Sequence, residues 1–268
     1  MRRLAVAVAT GAILVLAVFA VGVPMLWPID EAAADFASAN QGPGFGHWFG
    51  TDPSGRDLFV LVAKGMRVSL GMSTAVAAIS SALGLSVGLA AGMLGGWTDR
   101  IGMRIADAMT AMPSLLLAIF LVSLYRGSVV AIVLSLVLTH WISVARVVRA
   151  EMLSLRGAEF VLAARLAGLS RLRMAFAHLL PVAAGQTMIG TVLLVAHAIW
   201  HESTLSFLGL GLPPHRASLG TLLSDAREAM ILGQWWRLVF PAGAIVATTL
   251  SLAVLARALS PSRAREAL

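Results

Sequence analysis

The chain has no cysteine, which excludes a disulfide framework, a thiol nucleophile and a cysteine-based zinc site. It has little charge: 12% of its residues are Asp, Glu, Lys or Arg, against roughly 25% in a soluble domain. Its 59% hydrophobic content exceeds what a soluble fold of this length can hide. It has a single lysine, Lys64, with no glycine-rich turn before it and Gly65 in place of Ser or Thr after it. A phosphate-binding P-loop needs that turn and that hydroxyl, so the chain is not itself a P-loop ATPase. Gly84-Leu-Ser-Val-Gly88 spells Gly-x-Ser-x-Gly but sits inside a long apolar run rather than at a strand-to-helix elbow; His-Glu-x-x-His and EF-hand patterns are missing, and His201-Glu202 lacks the second histidine of a zincin helix. No enzyme class has a motif behind it.

What is present is long apolar runs. A helix crossing ~30 Å of hydrocarbon needs about 20 mostly apolar residues. Six stretches qualify, approximately 4–26, 70–95, 108–125, 128–145, 181–208 and 238–256. The first follows Met1-Arg2-Arg3 and ends at Pro24 and Trp27-Pro28 rather than at a small-residue cleavage site, so it reads as a retained helix. With the N-terminus inside, thirteen of the twenty Lys and Arg fall on the cytoplasmic side, among them Arg100, Arg104, Arg146, Arg149, Arg156, Arg165, Arg171 and Arg173. The other seven, Arg56, Lys64, Arg67, Arg126, Arg216, Arg227 and Arg237, fall outside with acids such as Asp30, Glu31, Asp52, Asp57 and Asp225. This bias places both termini in the cytoplasm and accounts for the net charge of +7 without nucleic acid. Trp27, Trp97, Trp235 and Trp236 fall at span ends and read as interface anchors. Gly84, Gly88 and Gly92, among other small residues, suit close helix–helix approach.

Four segments together carry a resemblance. Between spans four and five runs Glu159-Phe-Val-Leu-Ala163-Ala164-Arg165-Leu-Ala-Gly168, then nine residues, then His178-Leu-Leu-Pro181. Earlier stands His47-Trp-Phe-Gly50-Thr51-Asp52-Pro-Ser-Gly55-Arg56-Asp57. Arg104-Ile-Ala-Asp107 with Pro113 marks the entry to span three, and Leu205-Ser-Phe-Leu-Gly-Leu-Gly211 closes span five. These resemble, in order, the "EAA" loop, the "H-x-x-G-T-D-x-x-G-R-D" segment, the entry to the third helix and the "SFLGLG" end of the fifth helix of dipeptide, oligopeptide and nickel ABC importer permeases. The chain departs from that pattern where Leu162 replaces the Glu of "EAA" and where the acidic tail shrinks to Leu255-Ala-Arg257-Ala-Leu-Ser260-Pro261. Thr139-His140-Trp141, the Glu159–Gly168 run, His178 and the pair His197 and His201 resemble the nickel-type branch. That finer likeness implies nickel or a metal chelate as cargo, with a dipeptide or oligopeptide as the alternative.

The loop has its own physical reading. Glu159 to Ala167 is rich in helix formers with an acid in its first turn. Gly168 permits the left-handed residue that ends such a helix, and Ser170 suits the N-cap of the next. Ala163 and Ala164 keep one face flat for another protein, and Arg165, Arg171 and Arg173 offer donors; Pro181 opens the following span. An ordinary loop binding lipid headgroups would share the arginines but not the spacing. On the outside, Gly50, Asp52, Gly55, Arg56 and Asp57 form turn and cap chemistry, with the charged three as an ion-pair knot.

His197, His201 and Glu202 lie within span five, where ionisable groups usually face a bundle interior or a cavity. Two readings stand. The three line a cargo path, His197 and His201 sharing a helix face on which imidazoles suit nickel; or they make interhelical hydrogen bonds, with Glu202 paired to an arginine or a backbone group. Two histidines without a third ligand are not a metal site. Asp107 reads as a helix-positioning residue rather than a proton relay.

The expectation is an all-α polytopic membrane protein with six transmembrane helices, built like a type I ABC importer permease. Residues 1–66 form an N-terminal helix plus extracytoplasmic segment, 67–262 a five-helix core with a cytoplasmic coupling loop at about 151–180, and 263–268 a tail. The resemblance implies a second homologous permease, two ABC ATPase subunits and an extracytoplasmic solute-binding protein as partners, besides membrane lipid, and no nucleic acid. It implies no cofactor on this chain, with ATP and Mg bound by the ATPase partners. The rival of another class is an ion-coupled secondary transporter, which would work through Asp107 or Glu202 without an ATPase.

Overall fold

The computed structural model describes residues 2–27, 34–125, 127–213 and 216–260. The side chains of Arg2, Arg3, Ala5, Arg165, Arg171 and Leu172, and the expected tail at 263–268 with Asp30, Glu31 and Arg126, lie outside the described residues. Among the described residues ten α-helices follow in order: α1 (Arg2–Leu26), α2 (Leu58–Leu94), α3 (Gly96–Thr110), α4 (Ser114–Leu124), α5 (Val129–Leu155), α6 (Glu159–Leu166), α7 (Arg171–Met174), α8 (Leu180–Phe207), α9 (Leu219–Ile231) and α10 (Trp236–Leu259). Among the same residues five helical stretches are long and apolar enough to cross a membrane, and the pair α3–α4 makes a sixth only as a span bent by 83°.

That bend breaks the third span expected at approximately 108–125. Pro113 has no N–H to donate and steers the residue before it away from helix. The helix therefore stops at Thr110 and restarts at Ser114. At ~1.5 Å per residue, the eleven residues of α4 span roughly 16 Å, about half the hydrocarbon. The second span also differs. α2 starts at Leu58 rather than near 70 and runs for 37 residues, far longer than a bilayer requires. Lys64 and Arg67 interrupt the apolar run and hide its first three turns from a hydropathy reading. Asp57 supplies the start, its Oδ1 accepting the Phe59 N–H at 2.8 Å. α2 is thus continuous through residues 66 and 67, where the sequence suggests the edge of the core.

α2 is the central post. Its glycines meet α5 backbone to backbone: a Cβ at Gly88 would lie 2.6 Å from the Ala145 carbonyl oxygen and 2.7 Å from Val148 Cβ, and one at Gly84 2.5 Å from Val144 Cβ. Such contact is how membrane helices gain van der Waals packing where lipid is as apolar as leucine. A buried cluster of Met72, Val76, Ala118, Val122, Ile132, Leu136 and Leu205 joins α2, α4, α5 and α8. A second cluster, with Ala20, Leu61, Met66, Ile199 and Ile245, joins α1, α2, α8 and α10. On the cytoplasmic side Asp107 of α3 accepts from Arg146 Nη2 at 2.8 Å, and Arg156 Nε donates to the Gly92 carbonyl at 2.9 Å. Several cytoplasmic arginines therefore fix helix ends in addition to setting orientation.

Candidate functional site

The cytoplasmic segment after α5 folds as a helix–turn–helix. α6 ends at Leu166, Gly168 takes φ +76°, and the Leu169 N–H reaches back to the Ala164 carbonyl at 3.1 Å. That bond and the left-handed glycine make a Schellman-type end. Ser170 Oγ then accepts the Arg173 N–H at 3.3 Å at the start of α7. Glu159 is exposed in the first turn of α6 and Ala163 faces outward, while Ala164 packs toward Val148, Met152, Val161 and Met174. The segment also shows apolar side chains to the outside: Leu166 is 90% exposed and Phe160 and Leu162 are also open. A cavity of about 530 Å³ lies beneath, lined by Gly92, Met152, Arg156, Val161, Leu169 and Met174. A π-turn over Ala175–Leu179 joins α7 to α8, with Pro181 in the first turn of α8. Such turns often mark functional places in helices, and this one sits where the segment meets a membrane helix.

The extracytoplasmic motif is a tight turn cluster. Asp52 is buried; its Oδ1 accepts the Ser54 and Arg56 N–H groups at 2.8 and 2.9 Å, and its Oδ2 accepts Arg56 Nε at 2.7 Å. Asp57 does not join that pair. It caps α2 and accepts from His47 Nδ1 at 2.9 Å. Gly50 and Gly55 take φ +76° and +75°. Trp236, expected as a lipid anchor, instead donates its Nε1–H to the Thr51 carbonyl at 3.3 Å, and Phe240 stacks on Phe49 at 3.9 Å. The motif is thereby fastened to α10. Between it and α9 opens a cavity of about 510 Å³ lined by Asp52, Arg56, Thr221, Asp225, Arg227 and Arg237.

Within α8 the three polar residues part company. His197 is exposed and His201 half-exposed. His197 Nδ1 donates to the Leu193 carbonyl at 3.1 Å and His201 Nδ1 to the His197 carbonyl at 3.0 Å. A carbonyl only accepts, so each imidazole is held as the Nδ1–H tautomer when neutral, with Nε2 left as an acceptor. His201 also meets His140 of α5 edge-on at 4.9 Å between ring centres, and His140 Nδ1 donates to the Leu136 carbonyl at 2.7 Å. Among the described residues no group of three or more His, Asp or Glu is arranged to hold a metal ion.

Glu202 turns inward, is 1% exposed, and meets hydroxyls rather than the arginine or backbone partner expected. Ser69 of α2, Ser206 of α8 and Ser218 at the start of α9 donate to it at 2.9, 2.9 and 3.0 Å. These serines carry no sequence signal: Ser69 lies 133 residues from its partner. His140 appears in the sequence only as part of a resemblance, and nothing there pairs it with His201.

Comparison with known proteins bears on this architecture. Residues 84–265 match the family described as binding-protein-dependent transport system inner membrane component. The chain is 39% identical over 236 residues to the oligopeptide transport system permease protein OppC of Bacillus subtilis (strain 168), covering 88% of this chain and 76% of that one. It is 37% identical over 243 residues to the dipeptide transport system permease protein DppC of the same organism, covering 91% and 76%. It is 39% identical over 245 residues to the OppC permease of Escherichia coli (strain K12), covering 90% and 81%. These names support the peptide alternative better than the nickel reading that the sequence puts first.

Proposed function

The chain belongs to the binding-protein-dependent transport system inner membrane component family, and from that premise we propose that its cargo is a short peptide. It is a permease subunit of an ABC importer in the bacterial inner membrane. The observation that carries the peptide reading is the 39% identity, over 88% of the chain, to an oligopeptide permease.

In this reading the chain hydrolyses no ATP and binds no cofactor. Two ABC ATPase subunits bind ATP and Mg inside, a second homologous permease completes the path, and a solute-binding protein delivers the peptide outside. The α6–α7 segment docks on an ATPase through the apolar face of Phe160, Leu162, Ala163 and Leu166. Leu162, standing where the family pattern has Glu, makes that contact one of burial rather than charge. Closure of the ATPases pushes the segment, and the π-turn at Ala175–Leu179 passes the displacement to α8. On the outside, the Asp52–Arg56 turn cluster and α9 receive the binding protein. His140, His197 and His201 offer Nε2 acceptors suited to the N–H groups of a peptide. The nickel reading keeps one observation in its favour, these same imidazoles, and an ion-coupled mechanism keeps none.

Uptake decides the cargo. In cells carrying the intact operon, deleting this subunit is expected to abolish uptake of labelled di- and oligopeptides and leave radioactive nickel uptake unchanged. Lost nickel uptake with intact peptide uptake would return the protein to the metal branch.

A further inference from the structure

Glu202 is a carboxylate sealed at a joint of three elements. Ser69 Oγ donates to its Oε2, while Ser206 Oγ and Ser218 Oγ donate to its Oε1. Each hydroxyl has one proton, and these protons point at Glu202. The lone pairs of two of these serines face α9: Ser69 Oγ accepts the Leu219 N–H at 3.1 Å and Ser218 Oγ the Thr221 N–H at 3.1 Å. Leu219 and Thr221 are the first and third residues of α9, whose N–H groups have no partner within the helix. The start of α9 is therefore tied, through two hydroxyls, to one side chain of α8. Packing leaves no slack: a Cβ at Gly220 would lie 2.5 Å from Ser206 Cβ and 2.7 Å from Ser203 Cα, and one at Gly65 would lie 3.0 Å from the Ser218 carbonyl carbon.

The two ends of α8 make this joint more than local stapling. α8 is a single helix of 28 residues, roughly 42 Å long. Its first residue follows the π-turn that ends the cytoplasmic segment, and Glu202 lies in its last two turns. α9, held at the joint, presents Asp225, Arg227 and Glu228 to the outer cavity and Ile231 and Leu232, 87% and 70% exposed, at its far end.

We propose that Glu202 is the positioning residue that makes α9 and α8 move as one, so that docking on the outer surface is transmitted to the cytoplasmic coupling segment. A carboxylate suits the task because its two oxygens accept several donors at once. An amide has one acceptor oxygen, and on the side of its NH₂ the serine proton would lose its acceptor. The inference rests on the importer reading above, and its test separates the two.

The test uses the complete permease–ATPase complex in proteoliposomes, with ATPase activity measured alone and with the peptide-loaded binding protein. Ser69→Ala and Ser218→Ala are expected to keep basal activity and normal assembly. Stimulation by the binding protein should fall by about tenfold, the scale of one lost hydrogen bond to a carboxylate. Glu202→Gln should lose it furthest. Unchanged stimulation in all three overturns the inference. So does a parallel fall of basal and stimulated rates in both serine variants, which marks a merely structural role. If Glu202→Gln fails to assemble, the serine variants decide. A wild-type complex that the loaded binding protein does not stimulate overturns the importer reading itself.

Discussion

Arg149 of α5 grips both carboxylate oxygens of Asp99 in the first turn of α3: Nε meets Oδ1, and Nη2 meets Oδ2 at 2.7 Å. The fork spans fifty residues of sequence and fixes the cytoplasmic approach to the bend before α4. A guanidinium supplies two parallel donors where an ammonium supplies a point charge. Arg149→Lys is therefore expected to loosen α3 at a cost of about 1 kcal/mol, the pair being partly exposed. Thermal unfolding in detergent measures it, and no change would mean the fork does not hold α3.

Gly88 and Gly84 let α2 lie against α5. Gly88→Leu must push side-chain atoms into the Ala145 carbonyl and Val148, an overpacking that costs about 1–3 kcal/mol or more. The yield of folded protein should drop sharply. Gly71, whose Cβ would meet nothing within 4 Å, is the control; Gly71→Ala should express normally. Equal losses in both would sink the packing account.

Among the described residues of the α6–α7 segment, Leu166 is the most exposed large apolar side chain. Leu166→Asp should leave the permease folded, because the side chain touches little of its own chain, and should abolish co-purification of the ATPase subunits. Retained ATPase with normal transport would refute docking through this face.

Asp52 holds two backbone N–H groups and the Arg56 guanidinium. Asp52→Ala leaves these donors without their acceptor, a loss of about 1–3 kcal/mol per buried group. The outer segment should become sensitive to protease added from outside, with transport reduced. An unchanged digestion pattern would argue against the turn cluster.

Asp225 of α9, open to the outer cavity, titrates above its ordinary value of 3.8, because partial loss of solvent inside that cavity outweighs the attraction of Arg237. A raised carboxyl value means that the fold favours the protonated form. The stabilisation is full below the unfolded value and is lost as pH rises through the folded one. Relative to Asp225→Asn, the wild type should gain stability as pH falls through that window and lose it above. Parallel stability curves for the two proteins would contradict the assignment.

Much of this was legible in the sequence because it is local. Gly168 and Ser170 specify the turn between α6 and α7, since a left-handed residue and a cap are set by the chain within four residues of each. Long apolar runs announced α1, α5, α8 and α10, because a bilayer imposes length and composition on any helix that crosses it. Where charge interrupts such a run, as at Lys64 and Arg67, hydropathy alone began the helix twelve residues late, although Asp57 had already capped it. α9 went unseen for the opposite reason: its thirteen residues are too short and polar to read as a span, and its capping box at Ser218 and Thr221 carried no expectation.

By itself the sequence determined that this is an all-helical membrane protein, which way it faces, and that a helical turn projects into the cytoplasm. Composition, charge bias and short-range backbone preferences act before any helix meets another. Only the tertiary structure decided where the polar side chains within the membrane go. A glutamate in an apolar span must find donors, and nothing local says which. Helix packing brought Ser69 and Ser218 to Glu202, because Gly65 of α2 and Gly220 of α9 let those helices come close enough for the contacts to form, and it set His201 of α8 beside His140 of α5.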